Sequence, residues 1–272
     1  MGIVNVTPDS FSDGGRYLET DAAIARGLAL QAAGAHILDV GGESTRPGAD
    51  RVDPRVEQER VEPVIRALAA AGATVSIDTM NATTALAAID AGARIVNDVS
   101  GGLADPGILD VVARSGAEIV LGHWRGHSVD MYAGADYGDV LREVVSELAQ
   151  RIEAAAAAGI PPARVILDPG VGFGKQGEQN WEVLRGIPRL SGLGRVLVGT
   201  SRKRFLAAAL EDDGVDVSEQ RRDLATAVTS VLAAQAGAWG VRVHDVAATR
   251  DAMRVADHWD GSSRWATPTR SR

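Results

Sequence analysis

The sequence predicts a single-domain (β/α)8 barrel of the α/β class. Short runs rich in Val and Ile alternate eight times with longer, alanine-rich stretches of helical periodicity. The 272 residues match the length at which eight such units close into one barrel. Several of the apolar runs end in Asp, Asn, Arg or His, which is typical of barrels whose strand exits share one pocket.

Each predicted strand is a short apolar run that precedes a predicted helix. The strands are Ile3–Val6, Ile37–Val40, Thr74–Ile77, Arg94–Asn97, Glu118–Leu121, Val165–Leu167, Val196–Val198 and Val241–Val243. The helices are expected near 20–33, 54–71, 81–91, 105–115, 137–158, 179–188, 203–210 joined to 220–237, and 247–259. Glycines between a helix and the next strand are expected to end the helices in a left-handed conformation: Gly34, Gly72, Gly92, Gly116, Gly159, Gly194 and Gly240.

Three segments depart from this alternation. Residues 7–19 and 41–53 follow the first two strands and are longer than typical strand-to-helix connections, so we expect mobile lids. Residues 262–272 offer little apolar surface to bury, and we expect a disordered tail. The predicted domain is therefore 1–261.

Composition excludes several classes of protein. The net charge of −8 argues against general affinity for nucleic acid or anionic membranes. The absence of cysteine excludes disulfides and thiolate metal sites and fits a cytoplasmic location. No apolar run approaches the roughly 20 residues that span a bilayer, so we expect a protein without a membrane segment.

A set of polar signatures runs in order along the chain. They are Asn5–Gly15, Asp39–Gly48, Ile77–Thr79, Val96–Asp98, Leu167–Gly170, Ser201–Lys203 and Arg242–Asp245. Taken together, their order and spacing resemble those of the dihydropteroate synthase family of pterin-binding barrels. The resemblance implies a transferase of folate biosynthesis that joins 6-hydroxymethyl-7,8-dihydropterin diphosphate to p-aminobenzoate and releases diphosphate.

A carboxylate at a strand exit is suited to a pterin. The guanidine-like edge of the ring can donate two parallel hydrogen bonds to a carboxylate, and Asp168 can accept them. The resemblance implies that Asn97 and Asp78 add contacts and that Lys203 reaches the carbonyl side. The alternative for Asp168 is a capping residue before Pro169.

A second group of residues is expected at the diphosphate. Arg242 and His244 are two apart in a predicted strand, so both point to one face and form a cationic patch. The resemblance implies that this pair grips the diphosphate and that Asn5 contacts its Mg²⁺. It also places Asp13 among the catalytic residues.

The p-aminobenzoate site is expected between two loops and a helix start. The resemblance assigns it to the region of Lys203 and Arg204, where a serine often stands in place of Arg204. Four further substrate-binding residues are expected in the two long loops: Phe11, Thr45, Arg46 and Pro47. Phe11 is alternatively a loop anchor packed on the barrel rim.

One residue departs from the family pattern. Gly122 stands where the family commonly has a methionine that packs on the pterin. Glycine in place of this methionine either opens space beside the pterin or lets Trp124 fill that space. Two other motifs carry no function: residues 170–176 are interpreted as a flexible loop, and His123 with His127 lacks the further ligands of a zinc site.

Two alternative functions remain open. One is a pterin-dependent methyltransferase, which would need no diphosphate site, and the other is a catalytically silent pterin-binding paralogue. A homodimer is also expected from the family, through the apolar stretch Leu224–Ala236, unless that stretch is buried in the core of the monomer.

Overall fold

A computed structural model describes residues 1–6, 15–43, 51–126, 136–211 and 217–261. Its strands are β1 Gly2–Asn5, β2 Leu38–Gly41, β3 Val75–Asp78, β4 Ile95–Asp98, β5 Glu118–Gly122, β6 Val165–Asp168, β7 Arg195–Val198 and β8 Gly240–Val241. Its α-helices are α1 Gly15–Ala32, α2 Pro54–Ala70, α3 Ala82–Asp90, α4 Gly107–Ser115, α5 Val140–Ala157, α6 Glu178–Arg185, α7 Ile187–Ser191, α8 Arg204–Leu210, α9 Glu219–Gln235 and α10 Val246–Asp260. A short 3₁₀ turn at Pro162–Arg164 leads into β6.

The eight strands form one parallel barrel in chain order, as predicted. Each strand pairs in parallel orientation with the next one in the chain, from β1 with β2 to β7 with β8. The barrel closes where Val243, just beyond β8, pairs with Gly2 in β1. The amide of Ile3 donates to the Val243 carbonyl at 3.1 Å, and the Val243 amide donates to the Met1 carbonyl at 3.0 Å. The fold is therefore a TIM barrel, in which polar groups at the carboxyl ends of the strands lie around one mouth.

Apolar side chains pack on both faces of the barrel wall. A small interior cluster consists of Ile95, Val120, Ile166 and Leu197, which come from four neighbouring strands. A larger cluster lies between the strands and the surrounding helices and includes Val40, Ile77, Leu121 and Val196. Because every strand is covered on both sides, its apolar run is continuous rather than alternating.

The structure differs from the sequence prediction at three places. The stretch 179–188 forms two helices, α6 and α7, because Pro188 lies in the first turn of α7 and starts a new helix. The last strand ends at Val241, and Val243 makes only an isolated bridge. Gly194 and Gly240 are not left-handed, whereas Gly237, which follows α9, has φ +101°. In the part of the chain that the structure describes, no helix is both long and apolar enough to cross a membrane.

Candidate active site

An arginine held between two carboxylates lies at the mouth of the barrel. Arg242 donates from Nε to Asp39 Oδ2 at 2.6 Å and from Nη2 to Asp78 Oδ2 at 2.6 Å. Asn97 donates from Nδ2 to the same Asp39 oxygen at 3.0 Å. Three side chains from β2, β3 and β4 and the side chain of Arg242, directly after β8, therefore form one polar cluster.

The strand register explains why these side chains meet. Asn5, Gly41, Asp78 and Asn97 are successive register partners across β1 to β4, so they share one level of the barrel wall. Gly122 and Asp168 are partners across β5 and β6. Gly41 carries no side chain, which leaves room for Asp78, whose Cβ lies 3.5 Å from the position that a Gly41 Cβ would take.

Burial makes the electrostatics of this cluster strong. Asp39 is fully buried, and Asp78 is 7% exposed. Burial raises the pKa of Asp78; Arg242 opposes this shift, and the Asp39 charge adds to it. Burial acts to lower the pKa of Arg242, but the two carboxylates outweigh it and raise the value above the ordinary one. Arg242 is therefore a fixed cation whose charge is already matched by carboxylates, and the predicted cationic patch with His244 is instead a mixed cluster.

Asp168 and Lys203 lie on either side of one loop. Asp168 Oδ1 accepts a hydrogen bond from the Gly170 amide at 2.7 Å, which closes a turn; the next helix, α6, begins only at Glu178, so this oxygen caps no helix. Lys203 Nζ contacts the Val171 carbonyl and stands 4.5 Å from the centre of the Phe173 ring. Burial lowers the pKa of Lys203 to about 8, although Asp168 opposes that shift. Asp168 also acts electrostatically on Arg242, which connects the two halves of the site.

In the turn after β7, the neighbouring basic residues Arg202 and Lys203 point in different directions. Arg202 has φ +57°, a left-handed conformation that is uncommon outside glycine. Its guanidinium binds Asp223 on α9 through Nε and Nη2 at 2.7 and 2.8 Å. Lys203 is therefore directed to the barrel mouth, while Arg204, the first residue of α8, is exposed.

His244 contacts the turn that follows β7. Its Nδ1 is 2.8 Å from Ser201 Oγ, and its amide donates to the same oxygen at 3.1 Å. Its carbonyl accepts a hydrogen bond from Arg26 in α1 at 2.8 Å. These contacts fix the ring at the rim of the barrel, between the β7 turn and α1.

The remaining predicted residues divide into those the structure places and those outside the described residues. Asn5 is exposed at the end of β1. Glu43, which also ends an apolar run, accepts from the Val52 amide at 3.0 Å and pairs with Arg51, so it holds the entry to α2. Five predicted site residues lie outside the described part of the chain: Phe11, Asp13, Thr45, Arg46 and Pro47.

Gly122 is packed against backbone. A Cβ added there would lie 2.3 Å from the Val99 carbonyl oxygen, in the loop after β4. Asp98 shapes that loop by accepting hydrogen bonds from the amides of Ser100 and Gly102 at 2.8 and 2.6 Å. The main chain of the β4 loop therefore occupies the place that a side chain at residue 122 would take, and Gly122 and Trp124 both line a cavity next to it.

Sequence reasoning missed Asp39 as a site residue. It stands inside the apolar run Ile37–Val40, and a charged residue within a buried strand is itself a signal, because unpaired burial of a carboxylate is expensive. Its Oδ1 atom is buried and makes no hydrogen bond to the residues that the structure describes. An unsatisfied oxygen facing a polar cluster is ready to accept a bond from a ligand.

Comparison with known proteins agrees with this geometry. The model of the pterin-binding enzyme family matches residues 1–244. The chain is 53% identical to dihydropteroate synthase of Mycobacterium leprae over 95% of this chain and 92% of that protein. Two solved structures of Xanthomonas albilineans dihydropteroate synthase are similar to this chain. The complex with 4-aminobenzoic acid has a TM-score of 0.88 at 44% identity, covering 98% of this chain and 93% of the other.

The complex of the same enzyme with 7,8-dihydropteroate has a TM-score of 0.84 at 41% identity and covers 98% and 94% of the two chains. Sequence, fold and the order of the polar strand exits agree over nearly the whole length of the chain. The chain therefore belongs to the dihydropteroate synthase family of pterin-binding enzymes.

Proposed function

We infer that the chain is a dihydropteroate synthase, which condenses 6-hydroxymethyl-7,8-dihydropterin diphosphate with p-aminobenzoate. The observation that carries this inference is the buried cluster of Asp39, Asp78, Asn97 and Arg242 at the barrel mouth of a chain that matches this family over nearly its full length. A fused heterocycle with several N–H groups needs carboxylate and amide acceptors around it, and this cluster supplies them.

The reaction exchanges one bond at the methylene carbon of the pterin. The bond from that carbon to the diphosphate oxygen breaks, the aniline nitrogen forms the new C–N bond, and one proton of the amine leaves to solvent. The pterin ring shares the positive charge that develops on the carbon. Carboxylates held in a buried site favour such a cation without any covalent nucleophile. Asp39, Asp78 and Asp168 serve this role.

The leaving diphosphate is proposed to meet basic and amide groups at the rim. Arg242 and His244 follow β8, and Asn5 lies at the end of β1, whereas Lys203 is proposed to stay with the carbonyl side of the pterin. Arg204 and the four predicted residues of the long loops, Phe11, Thr45, Arg46 and Pro47, are proposed to hold p-aminobenzoate, and Asp13 is proposed to act at the reacting end. Sulfonamides, which imitate p-aminobenzoate, are proposed to compete there.

Magnesium is proposed to enter with the diphosphate. Mg²⁺ binds protein through few oxygen ligands and keeps several waters, so the single amide oxygen of Asn5 fits this role. Among the described residues, no cluster of three His, Asp or Glu side chains is arranged to hold a metal ion. This donor set fits an ion carried mainly by its substrate, where it neutralises the charge of the diphosphate.

A conservative substitution tests the function separately from the fold. Asp168→Asn keeps an oxygen for the Gly170 amide but removes the carboxylate charge. We expect kcat/KM for diphosphate release to fall at least about 100-fold, as for other preorganised electrostatic groups, with little change in unfolding midpoint. Lack of diphosphate release by the wild-type protein with both substrates and Mg²⁺ would refute the synthase activity and favour the silent paralogue. Methyl transfer from a methylated folate would favour the methyltransferase.

A homodimer is proposed through α9 and α10. Leu224, Val228 and Leu232 recur every four residues on α9 and are 66%, 51% and 57% exposed. Val255 and Trp259 on the adjacent α10 are 69% and 88% exposed. This apolar surface is outside the monomer core, and a second copy of the chain would bury it. Light scattering should give twice the monomer mass for the wild type and the monomer mass for Leu232→Glu. A wild type with the monomer mass would refute the dimer.

A cytoplasmic location is proposed because the chain has no cysteine.

A further inference from the structure

A fully buried lysine lies beneath the pterin side of the barrel mouth. Lys175, in the loop between β6 and α6, is 1% exposed and is among the largest fully buried side chains described. Sequence reasoning treated residues 170–176 as a flexible connection without function. The contacts of Lys175 show instead that this loop is held firmly. A buried ammonium is costly, so its presence calls for a role.

The ammonium of Lys175 binds three acceptors. Its Nζ lies 3.0 Å from the Gly170 carbonyl oxygen, 3.1 Å from the Phe173 carbonyl oxygen and 2.9 Å from His123 Nδ1. An ammonium has three N–H groups, so each of them has one acceptor. Two of the acceptors belong to the loop itself, and the third comes from the residue after β5. Lys175 therefore fastens the β6 loop to the neighbouring strand.

The neighbours of His123 keep its ring in a form that accepts from Lys175. Burial, with a further contribution from Lys175, lowers the pKa of His123 to about 4, so the ring is neutral. Its Nε2 lies 2.9 Å from Glu147 Oε2 on α5. We assign the ring proton to Nε2, because a neutral histidine that accepts at Nδ1 carries its proton on the other nitrogen, which here faces the Glu147 carboxylate. His123 can therefore receive Lys175 at Nδ1.

The loop that Lys175 holds also carries the pterin-side groups. The Gly170 amide donates to Asp168 Oδ1, and Lys203 contacts the Val171 carbonyl and the Phe173 ring. Gly170 has φ +65°, and a Cβ there would lie 2.2 Å from the His123 carbonyl oxygen, so the loop is pressed against β5. A shift of this loop would therefore displace the partners of both Asp168 and Lys203.

We propose that Lys175 is a positioning residue whose ammonium, received by neutral His123, fixes the β6 loop so that Asp168 and Lys203 hold the pterin. The proposal rests on the synthase activity inferred above. Lys175 touches the loop and not the reacting atoms, so it acts through Asp168 and Lys203. Its loss should weaken pterin binding and leave the p-aminobenzoate site unaffected.

The charge of Lys175 is sensitive to pH. Burial lowers its pKa to about 7. The charged groups that act on it are Asp168 and Glu147, which favour the cation, and Lys203 and Arg125, which oppose it. A lysine that loses its proton also loses the charge that strengthens its bonds to the carbonyls. Wild-type kcat/KM for the pterin substrate should therefore decline as the pH rises above neutrality.

The test compares Lys175→Met with two histidine variants. Methionine keeps the length and apolar stem of lysine but cannot donate. We expect KM for the pterin diphosphate to rise at least tenfold, KM for p-aminobenzoate to stay within twofold, and the alkaline decline of kcat/KM to be smaller than in the wild type. His123→Leu, which removes the acceptor, should reproduce the rise in pterin KM. His123→Asn, whose side-chain oxygen can replace Nδ1 as acceptor, should remain closer to the wild type.

Each outcome decides one question. A wild-type protein that releases no diphosphate refutes the synthase activity rather than the role of Lys175. An active wild type with unchanged pterin KM in Lys175→Met overturns the proposal, as does an equal rise in both KM values. If Lys175→Met yields no folded protein, the histidine pair decides: equal pterin KM values for His123→Leu and His123→Asn overturn the proposal.

Discussion

Replacement of Gly122 by alanine measures how closely the β4 loop packs against β5. The new Cβ would lie 2.3 Å from the Val99 carbonyl oxygen and 2.6 Å from the Val99 carbonyl carbon and Cα. All three are backbone atoms of a loop fixed by Asp98, so they cannot rotate away as a flexible side chain would. The clash must be relieved by a shift of main chain in β5 or in the β4 loop.

The expected cost follows from overpacking. Forcing one extra carbon into a filled interior costs about 1–3 kcal/mol. A chain of this size loses roughly 2–4 °C of unfolding midpoint for each kcal/mol, so the midpoint should fall by about 2–12 °C. Differential scanning fluorimetry and urea unfolding would measure this change.

Gly199→Ala is the matched control. Gly199 is also buried and directly follows a barrel strand, but the nearest atoms to its added Cβ lie 3.9 and 4.0 Å away, at ordinary contact distance. We expect no loss of stability for this variant. If Gly122→Ala unfolds at the same midpoint as Gly199→Ala or above it, the steric reasoning is wrong and residue 122 has room for a side chain.

Three further predictions concern the site and its surroundings. Asp39→Asn removes the carboxylate charge that accepts the hydrogen bond from Arg242 Nε. The free energy of unfolding, measured by urea titration, should fall by about 1.5–3 kcal/mol, the usual contribution of a hydrogen bond to a charged group. An unchanged free energy of unfolding would contradict the buried ion pair. Glu147 is partly buried, which opposes ionisation, but hydrogen bonds from His123 and Arg125 lower its pKa to about 2. Because the folded-state pKa lies below the ordinary value, its contribution to stability is complete above about pH 4.5 and is lost as the pH falls toward 2. The stability difference between wild type and Glu147→Gln should shrink over that range, and a constant difference would disprove the shift. Removal of divalent ions with EDTA should abolish diphosphate release and added Mg²⁺ should restore it, whereas full activity in EDTA would exclude the proposed magnesium.

The barrel could be predicted from the sequence because its signals are local and repeated. The Val and Ile runs located all eight strands to within one or two residues, since buried parallel strands have few other compositions available. The break at Gly186 and Pro188 was missed because the apolar pattern continues through it, although Pro188 itself is a signal for a new helix.

The site was predicted less completely than the fold. Asp78, Asn97, Asp168 and Arg242 were recognised as polar strand exits, and Lys203 was recognised from the resemblance to the family. The pairing of Arg242 with carboxylates was not, because residues 203 positions apart in the chain meet only when the barrel closes. Lys175 was missed for a similar reason. Lysine in a glycine-rich loop is ordinarily solvated, and only the fold brings the Gly170 carbonyl and His123 around it.

The seam between β1 and β8 has a consequence for synthesis of the protein. Asp39 and Asp78 emerge from the ribosome long before Arg242, and the pairing of Gly2 with Val243 joins positions near opposite ends of the sequence. Until that seam closes, Asp39 and Asp78 lack their arginine partner, although Asn97 of β4 can already donate to Asp39. A nascent polypeptide therefore has no substrate pocket, and competence for catalysis arises in a single late step rather than growing with each added strand.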